Sequence, residues 1–313
     1  MKTPFFTLCF ILFFSFLAFA QEATFKVVAV KGKVSTNNKL IAQNAEIKAI
    51  QSITVADDSS YICLVSNDKK EIIEVSKKGS YQMADLKKQA VMLGNNYAKF
   101  VADELLEIET AKYDSVRLQQ TKKTWHWINP HSSSTITMLP RETVMRYSDK
   151  ITVKWFLKSS NFEFNKAVDH YKAMIFNLED HVLFEEKTSE MRITIDLSKT
   201  KKLIEEKVLV LKIVPLNKLE QELESRATID GYAIVGMEES EKQQITQELN
   251  TIFKDQNRET AFGKLVEARF FEDKELYIDA INAYEDALNL SFGAESYQKV
   301  YRFFLERNNL WQE

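Results

Sequence analysis

The chain has 313 residues, 45% of them hydrophobic, with 42 basic against 45 acidic side chains and a formal net charge of −3. That hydrophobic content excludes disorder as the main state. Charges scattered along the chain without a basic stripe exclude the electrostatic footprint of nucleic-acid binding and that of a polybasic membrane patch.

Lys2 gives a basic start, the run Phe5 to Phe19 is almost wholly apolar, and Ala18-Phe19-Ala20 places small residues where a signal peptidase reads them. Residues 1–20 therefore read as a secretory signal peptide cut before Gln21. The alternative is a retained anchor, but the run falls short of the ~20 residues that cross a bilayer comfortably. The mature chain is expected in the periplasm or on the outer cell surface, with no membrane span. Of the two cysteines, Cys9 lies in the leader, so Cys63 is left alone and no internal disulfide is expected. Its strand-like run Tyr61–Val65 makes it a small buried hydrophobe.

Residues 21–82 read as a small all-β domain. Phe25, Val27 and Ala29 alternate with their neighbours, Gly32 breaks the run before Val34, and further runs follow at Ala45–Ile50, Ile53–Val55, Tyr61–Val65 and Ile72–Val75. From Met83 a helical period takes over: Leu86, Ala90, Leu93, Tyr97, Phe100, Leu105 and Ile108 make one stripe of a linker helix over 83–123, with Gly94-Asn95-Asn96 as the place where it would divide in two. Such a stripe needs a surface, either the chain's own β domains or another chain. Residues 124–237 read as a polar connection leading into a β-sandwich, with strands at Ile151–Phe156, Tyr171–Phe176, Val182–Phe184, Arg192–Leu197, Val208–Val214 and Tyr232–Val235. Residues 238–313 are helical, in four segments near Glu238–Phe253, Thr260–Glu272, Glu275–Leu290 and Ala294–Arg307. The expected fold class is α+β and multidomain.

In the third of these helices Ala280, Tyr284 and Ala287 have the spacing of a tetratricopeptide repeat, and Ala268 and Phe271 stand where that repeat puts a small residue and an aromatic on its first helix. The segment resembles a single repeat, with Phe292 in place of the usual proline. Small residues there let paired helices approach, and the aromatics fill the groove between them. An ordinary antiparallel helix pair is the alternative. Val30-Lys-Gly-Lys-Val34, Ile53-Thr-Val55, Ser60 to Val65 and Gly79-Ser-Tyr81 resemble the elements of a FecR-type β domain. Over most of its length the chain is similar to exported proteins of gliding, Bacteroidetes-type bacteria that join such a domain to a helix and an immunoglobulin-like sandwich. The resemblance implies architecture and carries no catalytic residues across.

No catalytic, cofactor-binding or metal-ligating set is expected. His126 and His131 straddle Pro130, and His170 and His181 flank one strand, so none forms the close pair that zinc prefers. Nucleophile elbows are missing, and the 7 glycines are unclustered. Adjacent acids such as Glu185-Glu186 would point to opposite faces of a strand. Trp125, Trp127 and Trp155 form either an aromatic platform for sugar or peptide, or a seal between helix and sandwich. Phe303, Phe304, Leu310 and Trp311 either cap the helices or dock a partner. The leading expectation is a non-enzymatic exported interaction or scaffold protein whose partner is an envelope protein or peptide. The alternatives are a FecR-like envelope signalling component and, third, a glycan-acting envelope enzyme.

Overall fold

The computed structural model describes residues 24–108, 136–140, 144–157, 166–223, 232–308 and 310. The expected leader, Trp125, Trp127, His126, His131 and Trp311 lie outside them. The chain divides into two compact units, one up to Leu93 and one from Gly94 onward.

Short apolar runs punctuated by turn residues build the first unit. Its strands are β1 (Thr24–Lys31), β2 (Val34–Thr36), β3 (Lys39–Leu40), β4 (Glu46–Lys48), β5 (Ser52–Val55), β6 (Tyr61–Ser66), β7 (Glu71–Val75), β8 (Gly79–Gln82) and β9 (Val91–Met92), with helix α1 (Met83–Lys88) before the last. They form two sheets, ordered β4-β1-β6-β7-β9 and β3-β2-β5-β8. Phe25, Val27, Ile47, Ile62 and Leu64 from the first sheet share a core with Val34, Ile53 and Val55 from the second. Strand β6 is buried along its whole length, which is why its sequence runs apolar without alternation. Cys63 lies there, fully out of solvent. The β2–β3 hairpin turns on Asn37-Asn38, both at positive φ (48° and 61°), the backbone that a two-residue hairpin loop of the primed type requires. Gly32 also has a left-handed backbone, φ 74°. A Cβ there would strike Ser60, whose Oγ accepts from Lys33 N–H at 2.9 Å and donates to Asp57 at 2.6 Å.

The helix expected from Met83 breaks after Lys88: residues 91–92 pair as a strand with β7, and a second helix, α2 (Asn96–Glu107), belongs to the second unit. Asn95 caps α2, its side chain accepting from Ala98 N–H at 2.8 Å. The rest of that stretch, from residue 109 to 123, lies outside the described residues.

In the second unit the strands are β10 (Ile136–Leu139), β11 (Val144–Arg146), β12 (Lys150–Leu157), β13 (His170–Phe176), β14 (Val182–Thr188), β15 (Arg192–Asp196), β16 (Val208–Leu216) and β17 (Tyr232–Gly236), with a short helix α3 (Lys201–Glu205) before β16. A three-stranded sheet, β10-β12-β15, and a five-stranded one, β11-β17-β16-β13-β14, contribute to one core. Trp155 stands at its centre, fully buried and edge-on to Tyr171 with centroids 5.2 Å apart. Strand β11 pairs with β17 in parallel, Val144 opposite Ile234, against the antiparallel pattern of the other described pairs in that sheet.

Four helices follow: α4 (Glu239–Ile252), α5 (Ala261–Asp273), α6 (Tyr277–Leu290) and α7 (Glu295–Arg307). The order of strands and helices makes the chain a mixed α+β protein. Helices α5 and α6 form a hairpin, and α2 packs on α5 and α7. Phe292 sits at φ 52° and Gly293 at φ 68° between α6 and α7. A proline, held near φ −65°, does not fit at position 292.

Thr260 caps α5 by accepting from Gly263 N–H at 3.0 Å. A Cβ at Gly263 would run into the carbonyl oxygens of Asn257 and Arg258, the latter 3.0 Å away. Because those atoms are backbone and cannot rotate aside, Gly263→Ala is expected to cost about 1–3 kcal/mol by overpacking. Urea denaturation of the two proteins measures the difference, and equal midpoints would refute the clash.

Candidate functional site

The polar chemistry of the second unit concentrates at two places, both built on the α5–α6 hairpin. The first is the turn between β11 and β12, residues Tyr147-Ser148-Asp149, gripped by three helices. Asp279 of α6 accepts from the backbone N–H groups of Tyr147 and Ser148, each at 2.8 Å. Lys242 of α4 reaches Asp149 at 3.1 Å, and Thr246 lies 3.0 Å from the Tyr147 hydroxyl. The Tyr147 ring packs on Phe271 of α5, centroids 5.6 Å apart. Asp279 is buried to 1% exposure, and burial pushes its carboxyl above the ordinary aspartate range despite the two donors. Burial also weakens the Arg146 cation beside it, while Asp149 and Asp279 act in the opposite sense.

One helical turn further along α6, Asn282 completes a strand edge. Strand β10 pairs with β12 only from Lys154 to Leu157, while β15 pairs with it from Lys150 to Lys154. Over Lys150–Val153 the β10 side of β12 therefore has no described strand, and Asn282 supplies the missing partners. Its Oδ1 accepts from Thr152 N–H and its Nδ2 donates to the Lys150 carbonyl, both at 3.1 Å. A side-chain amide has one donor face and one acceptor face, as a neighbouring strand would. Glu285 continues the row, paired with Lys154 and 3.2 Å from the Tyr301 hydroxyl that donates to it. Asp279, Asn282 and Glu285 are three residues apart, so they share one helix face.

The second place is an ionic cluster where α2, α5, α6 and α7 meet. Arg307 of α7 pairs with Glu104 of α2 at 2.8 Å and with Glu272 of α5 through two nitrogens. Glu272 also receives Asn308 at 2.8 Å, Arg269 at 2.8 Å and the Tyr284 hydroxyl at 3.2 Å. Burial alone would raise the Glu272 carboxyl, but Arg307 and Arg269, with Asn308, outweigh it and hold the group below its usual range. Burial likewise opposes the Arg307 cation, and the Glu272 and Glu104 carboxylates reverse that, raising it overall. The Tyr284 hydroxyl is pushed well up by burial.

The residues expected to pack the hairpin, Ala268, Phe271, Ala280, Tyr284 and Ala287, are all buried on α5 and α6. The expected docking surface fares differently. Phe304 is fully buried, its ring 4.6 Å from Tyr284, and Leu310 is buried as well, so neither presents itself to a partner. Phe303 is half-buried, and Trp311 lies outside the described residues. Burial of Trp155 removes it from any aromatic platform. Among the described residues no three His, Cys, Asp or Glu side chains converge as metal ligands, and no helix is long and apolar enough to cross a membrane. His170 pairs with Asp169 at 3.2 Å and Glu220 at 3.3 Å, while His181 is exposed. Sequence reasoning missed Asp279, Asn282, Glu285, Glu104, Glu272 and Arg307. The one available signal was the Asp-x2-Asn-x2-Glu row running beside the apolar stripe of α6. No family model matches the chain, and no curated protein matches it.

Proposed function

We propose that the chain is an exported, non-enzymatic interaction or scaffold protein of the cell envelope. In this reading a FecR-like β module and an immunoglobulin-like sandwich act as spacers, and a tetratricopeptide-like helical end presents the recognition surface. The observation that carries it is the use to which the buried and half-buried polar side chains are put. Asp279, Asn282 and Glu285 fasten the helices to the strands, and Glu104, Glu272 and Arg307 fasten the helices to each other. The contacts these side chains make go to joining the elements of the second unit. The parallel β11–β17 pair closing one sheet and the buried small residues Ala268, Ala280 and Ala287 support the two module resemblances.

Two measurements test it in cells. The N-terminal sequence of protein recovered from the envelope fraction is expected to begin at Gln21. A photo-crosslinking residue placed at the exposed Arg302 of α7 is expected to capture one defined envelope protein. Recovery of the intact chain in the cytosol with Met1 in place would overturn the reading, as would turnover of an envelope substrate by the purified protein.

A further inference from the structure

The first unit passes between its two sheets at three neighbouring places. Strand β1 leads to β2 through Lys31-Gly32-Lys33, β5 to β6 through Ala56–Ser60, and β7 to β8 through Ser76-Lys77-Lys78. In one sheet Val34 lies opposite Val55, and Val55 opposite Gly79; in the other Lys31 lies opposite Tyr61, and Ile62 opposite Val75. Those registers set the three crossings side by side at one end of the unit, with 56–60 in the middle. Ala56 N–H donates to the Lys33 carbonyl at 3.0 Å, and Lys78 N–H donates to the Asp58 carboxylate at 3.3 Å. Asp57 accepts from the Ser60 and Ser59 hydroxyls, which hold its carboxyl below the ordinary aspartate range.

The four lysines of the outer two crossings, Lys31, Lys33, Lys77 and Lys78, are all exposed. Among the described residues no carboxylate pairs with any of their ammonium groups; the described ion pairs of this unit are Lys70–Asp68 and Lys88–Asp85. Along the sequence they are two separated pairs diluted by acids, and only the strand register gathers them. The strand residues beside them, Val34, Val55, Tyr61 and Val75, are buried. Arginine is absent from residues 24–93.

We infer that this end of the first unit docks an acidic segment of a partner protein, whose carboxylates pair with Lys31, Lys33, Lys77 and Lys78. An anionic bilayer fits less well. It responds to the summed charge, from which Asp57 and Asp58 subtract, and it rewards apolar side chains that these crossings do not offer. Separate carboxylates can instead meet each ammonium singly. Lysine suits this, because its flexible stem carries a point charge with no fixed fork to satisfy. Strands β2 and β8 stand two spacings apart, about 10 Å, so an extended segment with carboxylates roughly three residues apart matches the two basic crossings. The surface is distinct from the helical end on which recognition was placed above, and adds the chemistry of a partner to that reading.

The test uses the full mature chain and a fluorescent hexaglutamate peptide. Binding is expected, weakening as ionic strength rises from about 0.05 to about 0.3 M. The double variant Lys33→Glu, Lys78→Glu is expected to bind about tenfold more weakly. Lys70→Glu with Lys87→Glu changes the net charge equally, at exposed positions away from the crossings, and is expected to leave the affinity unchanged. Equal losses in both variants, or none in the first, overturn the inference. Should the first variant fail to fold, Lys31→Ala with Lys77→Ala, which reverses no charge, gives the same reading at about threefold. Vesicles of phosphatidylcholine and phosphatidylglycerol provide the other arm: tighter binding to them than to the peptide, lost in the same variant, overturns the protein partner. Failure here with a defined partner still crosslinked from α7 would remove this site and leave the interaction-protein reading standing.

Discussion

Arg307→Ala is expected to cost about 3–5 kcal/mol of stability, because it takes from the buried carboxylates of Glu104 and Glu272 the guanidinium that both pair with. Glu104 and Glu272 are 3% and 7% exposed, so water does not replace what the arginine supplied. The pH dependence carries the sign. Wild-type Glu272 sits below its usual range, so its contribution is fully present above the unfolded-state value of about 4.3 and is lost as pH falls through the depressed folded value. Without Arg307 the strongest influence lowering the Glu272 carboxyl is gone and burial opposes its ionisation with only Arg269 and Asn308 beside it, so the variant is penalised at neutral pH and relieved by protonation. The stability gap between the two proteins should therefore narrow as pH is lowered from 7 toward 4. Urea titrations at the two pH values measure it, and a gap that stays constant or is absent would refute the assignment of Arg307 as the neutralising group.

Asp279→Ala is expected to cost about 2–5 kcal/mol, since it leaves the N–H groups of Tyr147 and Ser148 without acceptors where water has little access. Asparagine is a poor rescue, because its amide offers one acceptor where the turn demands two. Here the pH signature is reversed. Burial raises the Asp279 carboxyl, so a cost of ionisation is present at neutral pH and is relieved as pH falls through the raised folded value toward about 3.9. The gap between wild type and Asp279→Ala should widen on acidification, while that of Arg307→Ala narrows. Thermal unfolding of both variants across the same pH series distinguishes the two carboxyl environments. Parallel behaviour would mean that one of the assignments is wrong.

Much of the secondary structure was legible before any coordinates. The four C-terminal helices fall within two residues of their expected ends, because each carries a clear apolar period and a turn residue beyond it. Strands β6, β12 and β16 were legible from Val and Ile density alone. The two-residue strands β3 and β9 were not, since pairing and not propensity makes them strands. The stripe drawn through Tyr97 and Phe100 was displaced by one position: the buried line is Ala98, Val101, Ala102, Leu105, with the two aromatics flanking it. Size misled, because the largest side chains sit at the margin of a shallow contact. The fate of Phe304 and Leu310 was illegible for a related reason. Side chains at and beyond a last helix look unpartnered in one dimension, and here Tyr284 packs on Phe304 and Leu310 is buried. Nothing in the sequence marks the charged residues at 279, 285, 104 and 272 as contacts; only the fold brings them against Arg307, Lys154 and the β11–β12 turn.

The parallel β11–β17 pair and the Glu104–Arg307 contact together mean that the second unit is sewn shut by its own extremities. During synthesis α2 leaves the ribosome long before the surface it will cover exists, and β11 waits some ninety residues for its neighbour. Such non-local closure makes for slow assembly and for exposed apolar surface in the interim. A nascent chain of this kind gains from being held unfolded until its last helix has emerged.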